Sequence, residues 1–108
     1  MAASKTWYVY LIECSDGSLY TGITVDLAAR FAAHREGRGA RAMRMHPPVR
    51  MLAAEAHPDR SAASKAEYRI KRLTAAAKRA YAATMTPDPL APDPLAPDPA
   101  SAGPAAAP

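Results

Sequence analysis

Two runs dense in aromatic and β-branched residues open the chain, and helical spacing takes over from residue 26. Trp7-Tyr-Val-Tyr-Leu-Ile-Glu13 predicts a strand and Ser18-Leu-Tyr-Thr-Gly-Ile-Thr24 a second. Cys14-Ser-Asp-Gly-Ser18 between them is a tight-turn sequence, so the pair forms a hairpin. Asp26 caps a helix that runs through Glu36 and stops at Gly37. Residues 38–47 hold three arginines without apolar periodicity and predict a basic loop. Val49-Arg-Met-Leu-Ala-Ala-Glu55 predicts a third strand. Ser61 or Ser64 caps a second helix ending at Leu73, and Thr74 caps a third from Ala75 to Ala83. The order β-β-α-β-α-α predicts a small α/β (α+β) domain, a three-stranded, mainly antiparallel sheet flanked by helices.

Strand parity constrains the hairpin. If Ser15-Asp16-Gly17 form a three-residue loop with Gly17 left-handed, Cys14 faces Ser18, Ile12 faces Tyr20 and Tyr10 faces Gly22. Tyr10 and Tyr20 then project from one side of the sheet, and the glycine leaves space beside Tyr10. A two-residue Asp16-Gly17 loop would put them on opposite faces. The bulged loop is the expectation. On the first helix Arg30 and His34 are neighbours four residues apart, at the edge of a stripe through which Leu27 and Phe31 pack on the sheet. On the second helix Ala63, Ala66, Ile70 and Leu73 form the apolar stripe, with Glu67 on its border.

Composition changes this picture at the C-terminus. Eight of the 11 prolines follow Thr86, largely in Asp-Pro-Leu-Ala-Pro repeats. Residues 1–84 are therefore expected to form the domain and residues 85–108 a Pro/Ala/Asp-rich disordered tail. All 14 basic residues lie between Lys5 and Arg79, and residues 1–84 carry only seven acids, a net +7 that favours a polyanionic partner. No run approaches the roughly 18 apolar residues of a membrane span, and no signal-peptide run precedes the first strand. With one cysteine, Cys14, the chain forms no internal disulfide and no cysteine-rich zinc site. It is expected to be soluble and cytoplasmic, in a reducing compartment, with no membrane partner.

The candidate chemistry lies in Tyr10, Tyr20, Gly22, Arg30, His34 and Glu67. In these residues the sequence resembles the GIY-YIG nuclease family, with Tyr8-Val9-Tyr10 and Tyr20-Thr21-Gly22 at its two strand motifs. Arg30 stands ten residues after the second tyrosine and His34 four further on. Glu67, in Ala66-Glu67-Tyr68-Arg69-Ile70-Lys71, stands at the family's metal-binding glutamate. The similarity spans about residues 6–80 and is nearest the small single-domain, UPF0213-like members. It implies the GIY-YIG endonuclease fold and a metal-dependent endonuclease that hydrolyses DNA phosphodiester bonds in repair or processing, on branched or damaged DNA. Glu67 would hold one Mg²⁺ or Mn²⁺ ion. Arg30 would stabilise charge on the phosphate. One of the two tyrosines would be the general base, with His34 able to share the proton work. Two positions depart from the family: Ile23 replaces the usual lysine, and Lys78-Arg79 offers no asparagine.

Phosphate contacts are expected from Arg38, Arg41 and Arg44 in the basic loop, Arg69 and Arg72 on the second helix, and the backbone at Gly22, with little sequence specificity. Competing readings exist. Ser64-Lys-Ala-Glu67 is also a capping-box sequence needing no metal, and Cys14 reads as a packing residue. The alternative function is a catalytically weak or inactive nucleic-acid-binding module of the same fold. A third reading is an adaptor whose proline-rich tail recruits a protein partner.

Overall fold

The computed structural model describes residues 5–90. Eight elements follow in chain order: β1 (Trp7–Cys14), β2 (Leu19–Thr24), α1 (Leu27–Arg35), α2 (Ala42–Met45), β3 (Pro48–His57), α3 (Arg60–Lys71), α4 (Ala75–Ala82) and β4 (Thr86–Pro87). The strands form one antiparallel sheet in the order β2-β1-β3-β4. β1 lies inside it, which suits its apolar run: Val9, Tyr10, Leu11 and Ile12 are all buried.

The hairpin has the bulged geometry. Gly17 is left-handed (φ 86°), its N–H donates to the Cys14 carbonyl, and Cys14 N–H donates to the Ser18 carbonyl. Ile12 faces Tyr20 and Tyr10 faces Gly22. Val9, Leu11, Ala53, Ala66, Ile70, Ala82 and Met85 form one core cluster, under α3 and α4. Tyr10, Ile12, Cys14, Met43, Met51 and Ala54 form the other, with Tyr20, Leu27 and Phe31 packed against it from β2 and α1. In β3, Met51 and Ala54 serve one cluster while Leu52 and Ala53 serve the other, a sharing strict alternation forbids. A register shift against β1 at Leu11/Ile12 supplies the missing residue of a β-bulge.

Four expectations need correction. The sheet has four strands rather than three. Thr86–Pro87 pairs with Ala54 and Ala53, because proline's missing donor is tolerated on an outermost strand. The fold also passes residue 84: Met85 is buried, and Asp88 (φ 41°) donates its N–H to the Leu52 carbonyl. The expected tail from residue 91 onward lies outside the described residues. The basic loop contains α2, which seats Met43 in the core. Finally, Asp59 caps α3, accepting from Ala62 N–H at 2.8 Å, in place of Ser61 or Ser64. Ser64 and Glu67 are thus both inside the helix and form no capping box.

Charged clasps close the body. Arg50 donates to Glu13 (3.0 Å) and Asp88 (3.2 Å), while Arg79 on α4 donates to Glu13 (3.2 Å) and to the Gly17 carbonyl (2.9 Å). Lys78 donates to the Leu19 carbonyl at 3.4 Å. The pair standing where the family carries asparagine therefore anchors α4 to the hairpin. Ile23, standing where it carries lysine, packs against the α3–α4 core cluster.

One buried polar atom has no partner among the described residues: the Thr21 hydroxyl, in a residue opposite Leu11. A buried, unpaired hydroxyl costs about 1–3 kcal/mol, and valine has nearly the same shape. Thr21→Val is expected to raise stability by about 1 kcal/mol, measured by urea denaturation.

Candidate active site

The site grows from the hairpin parity. Tyr10 and Tyr20 leave the same side of the sheet, their ring centroids 6.3 Å apart. Tyr10 lies over Gly22, where an added Cβ would stand 2.6 Å from the ring carbon Cζ. Gly22 is buried, and its missing side chain makes room for the phenol.

α1 supplies the next layer. Asp26 caps it, accepting from Ala29 N–H at 3.0 Å, and a Schellman pair ends it: Gly37 N–H to the His34 carbonyl and Arg38 N–H to the Ala33 carbonyl. Gly37, at φ 79°, supplies the left-handed residue this requires. The turn carries the chain back over His34, where Ala40 N–H donates to Nδ1 at 3.2 Å. A Cβ on Gly39 would fall 2.6 Å from His34 Cε1, so only glycine fits there. Sequence reading missed Gly39 and Ala40; the second glycine two residues after the helix stop was the available signal.

His34 is 1% exposed, deeper than the helix edge expected for it. Burial first, and the Arg30 charge second, push its pKa down to about 4, so the ring is neutral at pH 7. Because Nδ1 accepts from Ala40, the single ring proton sits on Nε2. That N–H donates to the Tyr10 hydroxyl at 3.0 Å. The Tyr10 proton is thereby left to point elsewhere. Burial raises the Tyr10 pKa above the usual phenol value, Arg30 opposes the rise, and the charges of Tyr20 and Glu67 add to it. Tyr20 meets His34 edge-on at 5.3 Å between centroids and is less buried than Tyr10.

Four elements thus contribute to the surroundings of the Tyr10 hydroxyl: β1, β2, α1 with Arg30 and His34, and α3 with Glu67. Glu67 is half-buried, its carboxylate 3.3 Å from Lys71 one turn later. Among the described residues no three His, Cys, Asp or Glu side chains gather as a metal cage. A lone carboxylate suits a hard cation that keeps waters and takes phosphate oxygens, as Mg²⁺ or Mn²⁺ does, and does not suit zinc. Buried Cys14, with a thiol pKa raised by burial, is a packing residue.

The expected phosphate contacts divide. Arg38 is matched by Glu36 (2.6 Å), and Arg44 is tied to the Gly37 carbonyl (3.1 Å). Arg41 and Arg69 are exposed, and Arg72 lies against Tyr68.

Residues 6–81 match the family model described as the GIY-YIG catalytic domain. The chain is 47% identical to a UPF0213 protein of Cupriavidus pinatubonensis, over 79% of this chain and 94% of that protein. It is 53% identical to a UPF0213 protein of Xanthomonas axonopodis pv. citri, over 75% and 79% respectively. Among solved structures, the solution NMR structure of a UPF0213 protein from Bacillus halodurans is 38% identical and covers 73% of this chain and 84% of its own, with a TM-score of 0.48.

His34 makes stability fall with acid. Free histidine takes its proton near pH 6.5, whereas the folded ring resists until about 4, so the unfolded chain binds the extra proton throughout that window. Going from pH 7 to pH 5 is expected to cost the wild type about 2 kcal/mol through this group alone. His34→Gln should lack that slope, as read from paired urea melts. Gly39→Ala should lower stability at pH 7 by about 1–3 kcal/mol through its clash with the His34 ring.

Proposed function

The chain belongs to the GIY-YIG family, and from that membership we propose that it is a metal-dependent endonuclease hydrolysing DNA phosphodiester bonds, with little sequence specificity, in repair or processing of branched or damaged DNA. The observation carrying this reading is the packing of Tyr20 and His34 against one buried phenol, Tyr10, with the Arg30 and Glu67 charges near enough to act on it.

The roles follow from the local chemistry. Arg30 binds a non-bridging phosphate oxygen with its planar fork and stabilises the charge that develops there. Tyr10, its pKa raised and its oxygen already accepting from His34, stays protonated at neutral pH and offers its proton to the phosphate. Proton removal from the attacking water falls to Tyr20, the more accessible phenol. As water's oxygen bonds to phosphorus in line, the bond to the leaving oxygen breaks, that oxygen takes a proton from solvent, and no covalent enzyme intermediate forms. His34, with its proton fixed on Nε2 and its ring buried, positions Tyr10 and takes no proton. Glu67 would hold one Mg²⁺ or Mn²⁺; when bound, the ion supplies Lewis-acid neutralisation of the phosphate.

Glu67→Gln is expected to lower nicking of a branched DNA in Mg²⁺ by at least about 10²-fold while leaving binding within about twofold, and EDTA should stop the wild type. Binding without cleavage by the wild type in either Mg²⁺ or Mn²⁺ would make the protein a non-catalytic nucleic-acid-binding module instead. Tyr20→Phe should cost about 10²–10⁴ in kcat, measured by single-turnover nicking.

A further inference from the structure

The outer face of α3 carries a feature the hydrolytic site does not use. Tyr68 follows Glu67 directly, yet its side chain is largely solvent-exposed, 63% for the residue. The Arg72 guanidinium lies 5.3 Å from the ring centroid and donates to the phenol oxygen at 2.8 Å. The ring is thus held in place from its own helix while remaining open to solvent. Beside it runs a shallow, solvent-open hollow lined by Ser61, Ser64, Lys65, Tyr68 and Arg69. On this arc of α3 the charged residues are Lys65, Arg69, Lys71 and Arg72, and the one acid adjoining it, Glu67, is matched by Lys71.

An exposed aromatic platform braced by a cation and surrounded by positive charge has a physical use: stacking an unpaired base whose phosphates the cations hold. A duplex keeps its bases stacked on one another and offers the ring nothing. Neighbouring residues on a helix lie 100° apart, so on a cylinder of about 10–12 Å diameter Tyr68 stands about 9–10 Å round from Glu67, within about three nucleotide spacings.

We propose that Tyr68, braced by Arg72, is a stacking platform for an unpaired nucleotide within a few positions of the scissile phosphate, so that this chain selects DNA at junctions between double and single strand. The inference rests on the nuclease reading for the identity of the polyanion. Its test is binding in EDTA, where cleavage plays no part, so it can fail while Glu67-dependent nicking stands, and the reverse.

The test compares a blunt duplex with the same duplex carrying a single-stranded arm, with 2-aminopurine as the first unpaired base. Wild type should bind the armed DNA more tightly and quench the 2-aminopurine. Tyr68→Ala should weaken armed-DNA binding about 5- to 100-fold, abolish the quench and leave blunt-duplex affinity within about twofold. Tyr68→Phe should retain both preference and quench. Equal losses on both DNAs, an unchanged armed-DNA affinity in Tyr68→Ala, or a quench that survives the alanine would overturn the proposal. Circular dichroism and a thermal melt confirm that the variants fold, as expected for an exposed position.

Discussion

A neutral imidazole buried between a backbone N–H and a phenol sets the terms for the rest of the site. His34 can occupy its position only without charge, because water is excluded and Arg30 is already near. The Ala40 N–H fixes the tautomer, and the tautomer fixes the sense of the hydrogen bond to Tyr10. Two glycines make the arrangement sterically possible from opposite sides: Gly22 under the phenol and Gly39 over the imidazole. The price of this order is borne by the fold, which commits a helix cap, a Schellman turn and a strand pair to holding two rings in register.

The hairpin is the second constraint. Its three-residue loop, with Gly17 left-handed, decides which residues of β2 share a face with Tyr10. A loop one residue shorter would send Tyr20 to the other core and bring Thr21 beside Tyr10. The clasp from Arg79 to the Gly17 carbonyl and Glu13 holds that loop against α4, so the far end of the chain steadies the geometry its beginning created. Lys78 adds a contact to the Leu19 carbonyl on the same hairpin.

Much of this was readable in the residues. Alternation and turn chemistry gave the hairpin with its register, and the caps at Asp26 and Thr74 are where their side-chain chemistry put them. The grouping of Tyr10 with Tyr20, and of Arg30 with His34, follows from periods of 2 and 3.6 residues. Other features depend on tertiary context that no short pattern carries. The bulge that lets Met51 and Ala54 share one face has no local signature. Met43 looked like a loop residue because a four-residue helix offers too few positions for a period to appear. Asp59 won the cap from Ser61 and Ser64 because α3 begins at Arg60, directly after the Pro58-Asp59 that follows β3 and ahead of both serines. The depth of His34 was hidden as well, since its cover comes from the Gly39–Ala40 turn rather than from its own helix face.

The short pairing at Thr86–Pro87 has a bearing on how copies of the chain meet one another. A sheet with an open flank invites a neighbour's strand to join it and build a growing ribbon. Here that flank ends on an imino acid that cannot donate, in a strand of only two residues, so there is little for an incoming backbone to grip. The opposite flank is β2, the strand carrying Tyr20. A foreign strand seated there would crowd the ground beside the paired phenols, which ties resistance to aggregation and access to the site to one and the same margin of the sheet.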